Sequence, residues 1–195
     1  IFSFEIDKKF KLKNLKLNSK VNVKELILVN ESNLNKIFPT LKKEVIFTNH
    51  KIIFNYNKNI WNIEGSGDFL IKGKDKIEYS IKKKGKKISF NSLIKINKSP
   101  LKIDVLNYQK TENSNLEIII NGNKDLKDNL YFKEISLSEN DNVIYIENLL
   151  ITKDFTISKL KTINFDYKDE EKLRNKISLI KKEKNYLLTG HTLNA

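Results

Sequence analysis

Cysteine and methionine are absent from the 195 residues, and arginine occurs once, at Arg174. Without cysteine there is no disulfide framework and no thiolate metal site. Without methionine there is no start residue, so the chain is expected to be a piece of a longer protein. Histidine is confined to His50 and His191, neither of which has a carboxylate or second histidine at ligand spacing. Neither has the orienting partner of a general base, so no metal, no organic cofactor and no enzymatic activity are expected. Long apolar runs are missing too. The longest, such as Leu26–Val29, hold about four residues where a bilayer-spanning helix needs about twenty. No signal peptide is visible, which places any membrane anchor outside this piece.

What is present is alternation. Ile88, Phe90, Ile94 and Ile96 fall on one parity, with Lys87, Ser89 and Lys95 on the other. Ile77, Tyr79 and Ile81 repeat the pattern, as do Leu116, Ile118 and Ile120. A period of two describes a pleated strand with one face out of water. About a dozen such segments follow one another without βαβ spacing, the rhythm of an all-β meander. The expected fold is all-β: a long antiparallel meander over residues 1–195, curling into an open U-shaped groove, with at most one or two short helices.

Several segments carry particular expectations. The phase slip at Lys13-Asn14 predicts a β-bulge. Leu34, Ile37, Phe38 and Leu41 have helical spacing, which predicts a short helix within Glu31–Leu41. Asn49-His50 separates two strands, and Glu64-Gly65-Ser66-Gly67 predicts a hairpin turn. Gly85 marks another turn, Gly122–Asp128 a further one, and Pro100 begins a strand through Leu106. Phe155–Tyr167 is one bent strand or two. Asp169–Lys182 fits either a helix, with acidic residues early and lysines late, or a hairpin with Tyr186–Thr189. The hairpin is preferred because everything around it is strand.

The net charge is +13, from 37 basic and 24 acidic residues. Lysine supplies nearly all of the positive charge, and the skew toward lysine, asparagine and isoleucine reads in part as AT-rich codon choice. Lys82-Lys83-Lys84 with Lys86-Lys87, and Lys181-Lys182 with Lys184, invite an anionic partner. A specific nucleic-acid site is not expected, since arginine is the preferred bidentate reader of guanine and phosphate. An anionic membrane surface attracts lysine as well, and lysine on turns and edges also prevents edge pairing. The acidic residues Asp166, Asp169, Glu170 and Glu171 lack EF-hand spacing and read as charged surface.

One long sheet with one apolar face can fold over as a sandwich, close as a barrel, or stay open as a trough. The chain offers little helix to serve as a lid. A trough lined with Ile, Leu, Phe and Val would suit acyl chains. The floor residues assigned to it are Ile88, Phe90, Ile94, Ile96, Leu116, Ile118 and Ile120.

The closing segment Lys184–Ala195 (KNYLLTGHTLNA) and Trp61–Lys72 (WNIEGSGDFLIK) resemble segments of the AsmA-like family of bacterial envelope proteins. Asn194 stands where that family often has aspartate. The resemblance implies a β-groove anchored to the inner membrane of a Gram-negative bacterium and crossing the periplasm. It implies a role in phospholipid transfer between the membranes and in outer-membrane lipid balance, without catalytic residues. The rival expectations are a structural or adhesive β-sandwich or solenoid, and an outer-membrane protein assembly factor using an exposed strand edge.

Overall fold

Alternation over nearly the whole chain produces one antiparallel ladder. The computed structural model describes residues 1–29, 44–70, 74–111 and 113–192. Its strands are β1 (Phe2–Ile6), β2 (Leu12–Val29), β3 (Glu44–Asn57), β4 (Ile60–Leu70), β5 (Lys74–Lys84), β6 (Lys87–Ile96), β7 (Lys102–Ile103), β8 (Tyr108–Gln109), β9 (Leu116–Lys124), β10 (Leu130–Glu139), β11 (Asn142–Ile151), β12 (Ile157–Lys159), β13 (Thr162–Lys168), β14 (Arg174–Lys182) and β15 (Asn185–Thr192). Thirteen form a single sheet in sequence order, skipping β7 and β8, with β12 paired to β11. The sheet is all-β, antiparallel and not closed into a barrel. β1 and β15 are its edges.

Because the path is a meander, its turns alternate between two rims. One rim carries turns 7–11, 58–59, 85–86, 125–129, 152–156 and 183–184. The other carries turns 140–141 and 169–173 and the long excursion 97–115. That excursion contains β7, a single 3₁₀ turn (Asp104–Leu106) and β8, which pair as a separate two-stranded ribbon.

Bulges adjust the ladder. Opposite β1, the register slips between Lys13 and Lys16, with Asn14 at φ 52°, as the phase change in the sequence predicted. In β3 an extra residue stands opposite β4 between Thr48 and Lys51, with Asn49 at φ 51°. Asn49-His50 is therefore a bulge inside one strand rather than a break between two. A third slip lies in β10 between Phe132 and Glu134.

Other expectations need correction. Glu64-Gly65-Ser66-Gly67 is not a turn; it runs straight through β4. Its glycines clear space for neighbours. A Cβ on Gly65 would stand 2.2 Å from Cζ of Tyr79, and one on Gly67 would stand 2.3 Å from Nδ1 of His50 and 2.8 Å from its Cα. Gly122 likewise belongs to β9, and the turn begins at Asp125. Pro100–Leu106 is not one strand but the start of the excursion. The return from β11 is two strands, β12 and β13, and the last stretch is the hairpin β14–β15, not a helix. The helical spacing at Glu31–Leu41 lies outside the described residues, as do the last three letters of the C-terminal resemblance, 193–195.

Candidate functional site

The ladder register decides which side chains share a face. Ile96 pairs with Leu116, Ile94 with Ile118 and Ser92 with Ile120. The seven residues assigned to the floor thus lie on one side of β6 and β9. The same side continues through Ile77 and Ile81 of β5, Leu137 and Ile135 of β10, and Ile144 and Ile146 of β11. The other side is mostly lysine, glutamate, serine and asparagine, with Lys76, Glu78, Ser80 and Lys82 on β5 as an example, though Ile53, Leu93 and Ile119 also lie on it. Alternation in sequence has become segregation in space.

The excursion 97–115 divides the apolar face into two halves. It lies over the rim-side half of β4–β13, where Phe69, Ile96, Leu116, Leu137, Ile144 and Tyr167 form one buried cluster with Tyr108, with Leu101, Ile103 and Leu106 packed alongside. Tyr108 and Tyr167 meet edge to face at 5.8 Å. Ile96 and Leu116 are therefore core side chains sealed from any ligand, and Ile94 and Ile118 pack against that core. Ile88, Phe90 and Ile120 lie on the half the excursion leaves uncovered. There Phe90 crosses over Gly122 and meets Phe132 at 5.9 Å. At the same rim the Lys83 ammonium lies 4.4 Å over the Trp61 ring.

Buried polar groups tie the excursion down. Glu139, almost fully buried, accepts hydrogen bonds from Tyr108 Oη (2.6 Å), the Thr111 amide (2.7 Å), Ser114 Oγ and Asn142 Nδ2 (3.2 Å). Burial pushes its carboxyl up, but hydrogen bonds from Ser114, Tyr108, Thr111 and Asn142 together bring it below the usual glutamate value. Burial, then the bond to Glu139, raises Tyr108. On β5, Asp75 Oδ1 accepts the amides of Asn97 and Lys98, at 2.8 and 3.2 Å. Tyr167 Oη donates to the Leu106 carbonyl (2.7 Å), and Lys102 pairs with Glu170 at 2.6 Å. A hydrogen-bonded buried carboxylate is costly to disturb, so this cover is a fixed part of the fold. Alternation alone gave no sign of it. The only sequence signal was the longer, less regular stretch between Ile96 and Leu116.

Asp166 meets Arg174 at 2.5 Å and Lys176 at 3.3 Å, and Arg174, the larger influence, holds its carboxyl low. Among the described residues no cluster of three or more histidine or carboxylate side chains could hold a metal ion. His50 is buried beside Phe47 (5.4 Å, edge-on) and stacked on Tyr79 (5.5 Å). Burial lowers its pKa, and Asp68 opposes the shift. Among the described residues Nδ1 of His50 has no hydrogen-bond partner. A shallow hollow of about 550 Å³ lies mainly on the opposite face, where Ile53, Leu93 and Ile119 line it together with Lys51, Glu64, Glu78 and Asn121.

Compared with family models, curated proteins and solved structures, the chain matches none. Its chemistry rests on the residues above.

Proposed function

We propose that the uncovered half of the apolar face binds lipid acyl chains, and that the chain is a periplasmic segment of an AsmA-like protein moving phospholipid between the inner and outer membranes. One observation carries the reading: an open thirteen-stranded sheet keeps one side apolar while, among the described residues, only the excursion 97–115 covers any of it. An apolar surface of this extent gains about 25 cal/mol for each Å² removed from water. Acyl chains laid along Ile88, Phe90 and Ile120 would supply that burial while headgroups stay hydrated. The process is passive and uses no catalytic group. The test is photocrosslinking in cells from positions 88, 90 and 120, with position 116 as a sealed control. Phospholipid adducts at the first three and none at 116 support the reading. Adducts at none of them reject it and leave a structural sheet whose face is covered by protein.

A further inference from the structure

Four turns of the sheet share one design. In Asp7–Lys11, Asp125–Asn129, Thr152–Thr156 and Asp169–Leu173 the first residue's amide donates to the fifth residue's carbonyl, at 2.9–3.0 Å. The fourth residue donates to the first carbonyl and has positive φ: Phe10 at 55°, Asp128 at 64°, Phe155 at 60° and Lys172 at 65°. A left-handed backbone favours glycine or asparagine and is unusual for a bulky side chain. Phenylalanine nevertheless fills this slot twice, both times on the uncovered rim, and its ring is left in water: Phe10 is 90% exposed and Phe155 84%. In the third uncovered-rim turn the second residue, Leu126, is 71% exposed. The fourth turn lies on the covered rim and has no aromatic tip; it presents Glu170, Glu171 and Lys172, with Leu173 half-exposed beside them.

Position and charge make these tips a surface. The turns of Leu126 and Phe155 are two strands apart, about 10 Å along the rim at the usual strand spacing. Asp125 is engaged by its own turn's Lys127 and Asn129 amides, and Asp128 pairs with Lys124 at 2.8 Å. About 10 Å to one side stands the turn of Lys84, Lys86 and Lys87, and about 10 Å to the other that of Lys182 and Lys184. Exposed large apolar side chains on fixed turns, flanked by lysine, suit the boundary of a bilayer. The rings enter between headgroups while lysines meet anionic ones.

We propose that the uncovered rim docks on a bilayer containing anionic lipid, with Leu126 and Phe155 as the inserted tips. Phe10 lies about 30 Å along the rim from Leu126 and would provide a second point of contact. Docking there would set the open half of the apolar face against the lipid supply. That purpose rests on the acyl-binding reading, but the docking itself does not.

The experiment is flotation of the 195-residue chain with phosphatidylcholine vesicles, with and without phosphatidylglycerol, over a salt series. The variants are Phe155→Asn with Leu126→Ser. Asparagine tolerates the left-handed slot and both side chains are exposed, so the melting temperature should hold. Expected is binding to the phosphatidylglycerol vesicles that falls about tenfold in the double variant, with a residue survivable at moderate salt only in the parent. Equal binding of parent and variant, or no binding to either vesicle, overturns the proposal. Non-specific attraction of a +13 chain predicts the equal outcome. Capture of a fluorescent fatty acid in vesicle-free solution separates the two readings. Capture retained by the double variant, with vesicle binding lost, supports tip docking. Vesicle binding that depends on the tips, without capture by the parent, would leave docking standing and remove acyl binding.

Discussion

The two halves of the apolar face have the same sequence pattern and different fates. On the covered half, Ile96 and Leu116 are sealed under Tyr108, and Glu139 and Asp75 fix the cover to the sheet. On the open half, Ile88, Phe90 and Ile120 continue the same strands at the same parity but are only partly buried. The rims differ in degree, with Phe155, Phe10 and Leu126 the most exposed tips at the open one, and Glu170 and Glu171 beside the less exposed Val105 and Leu173 at the covered one. Identical alternation thus makes a protein core where a second layer exists and an available surface where, among the described residues, none does. Apolarity drives burial, but what buries a given face depends on what the chain brings to it.

The sharpest way to break this comparison is to place one charge on each half. Leu116→Asp puts an unpaired carboxylate in the sealed core and should cost several kcal/mol, enough to unfold a marginal domain. Ile120→Asp can stay hydrated and should cost about 1–2 kcal/mol. Urea melts of both check this, and equal losses would show that both halves are core. A smaller effect of the same sign is expected from truncation. Leu116→Ala should cost about 3–5 kcal/mol, against about 1 kcal/mol for Ile120→Ala.

Glu139→Gln should cost about 2 kcal/mol, since an amide cannot accept from Tyr108, Ser114 and Thr111 as a carboxylate does. Its loss should appear as early hydrogen exchange within 97–115. The pH dependence follows in sign. A glutamate whose folded pKa is lowered contributes stability that is full above its unfolded value and is lost as pH falls through the folded one. Acid should therefore loosen the cover, and the Glu139→Gln variant should lose part of that acid sensitivity.

The smallest effect concerns His50. Its lowered pKa means the folded chain prefers the neutral ring, so stability should fall as pH drops below the ordinary histidine value. Asp68, held by Asn49 at 3.1 Å, opposes this, and Lys51 and Lys24 stand beside the same bulge. Thermal melts at pH 7.5 and 5.5 should show a larger drop for the parent than for His50→Gln.

Much of the ladder was legible from spacing. The bulge at Asn14, the turn at Gly85 and the β14–β15 hairpin all follow from local phase and turn chemistry. Gly65 and Gly67 misled because glycine marks both turns and close approaches, and the deciding partners, Tyr79 and His50, are on other strands. The seven residues assigned to the floor do share one side of β6 and β9. Their division into sealed and open positions was not legible, because it depends on where 97–115 folds back.

The sequence by itself determined a one-sided antiparallel meander, since the period of two recurs through nearly every described segment; where helical spacing competed, at Asp169–Lys182, the strands around it favoured the hairpin. Tertiary structure alone decided how much of the apolar side is covered. That depends on contacts between residues far apart in the chain, such as Tyr108 with Glu139 and Leu106 with Tyr167, whose pairing no local pattern encodes.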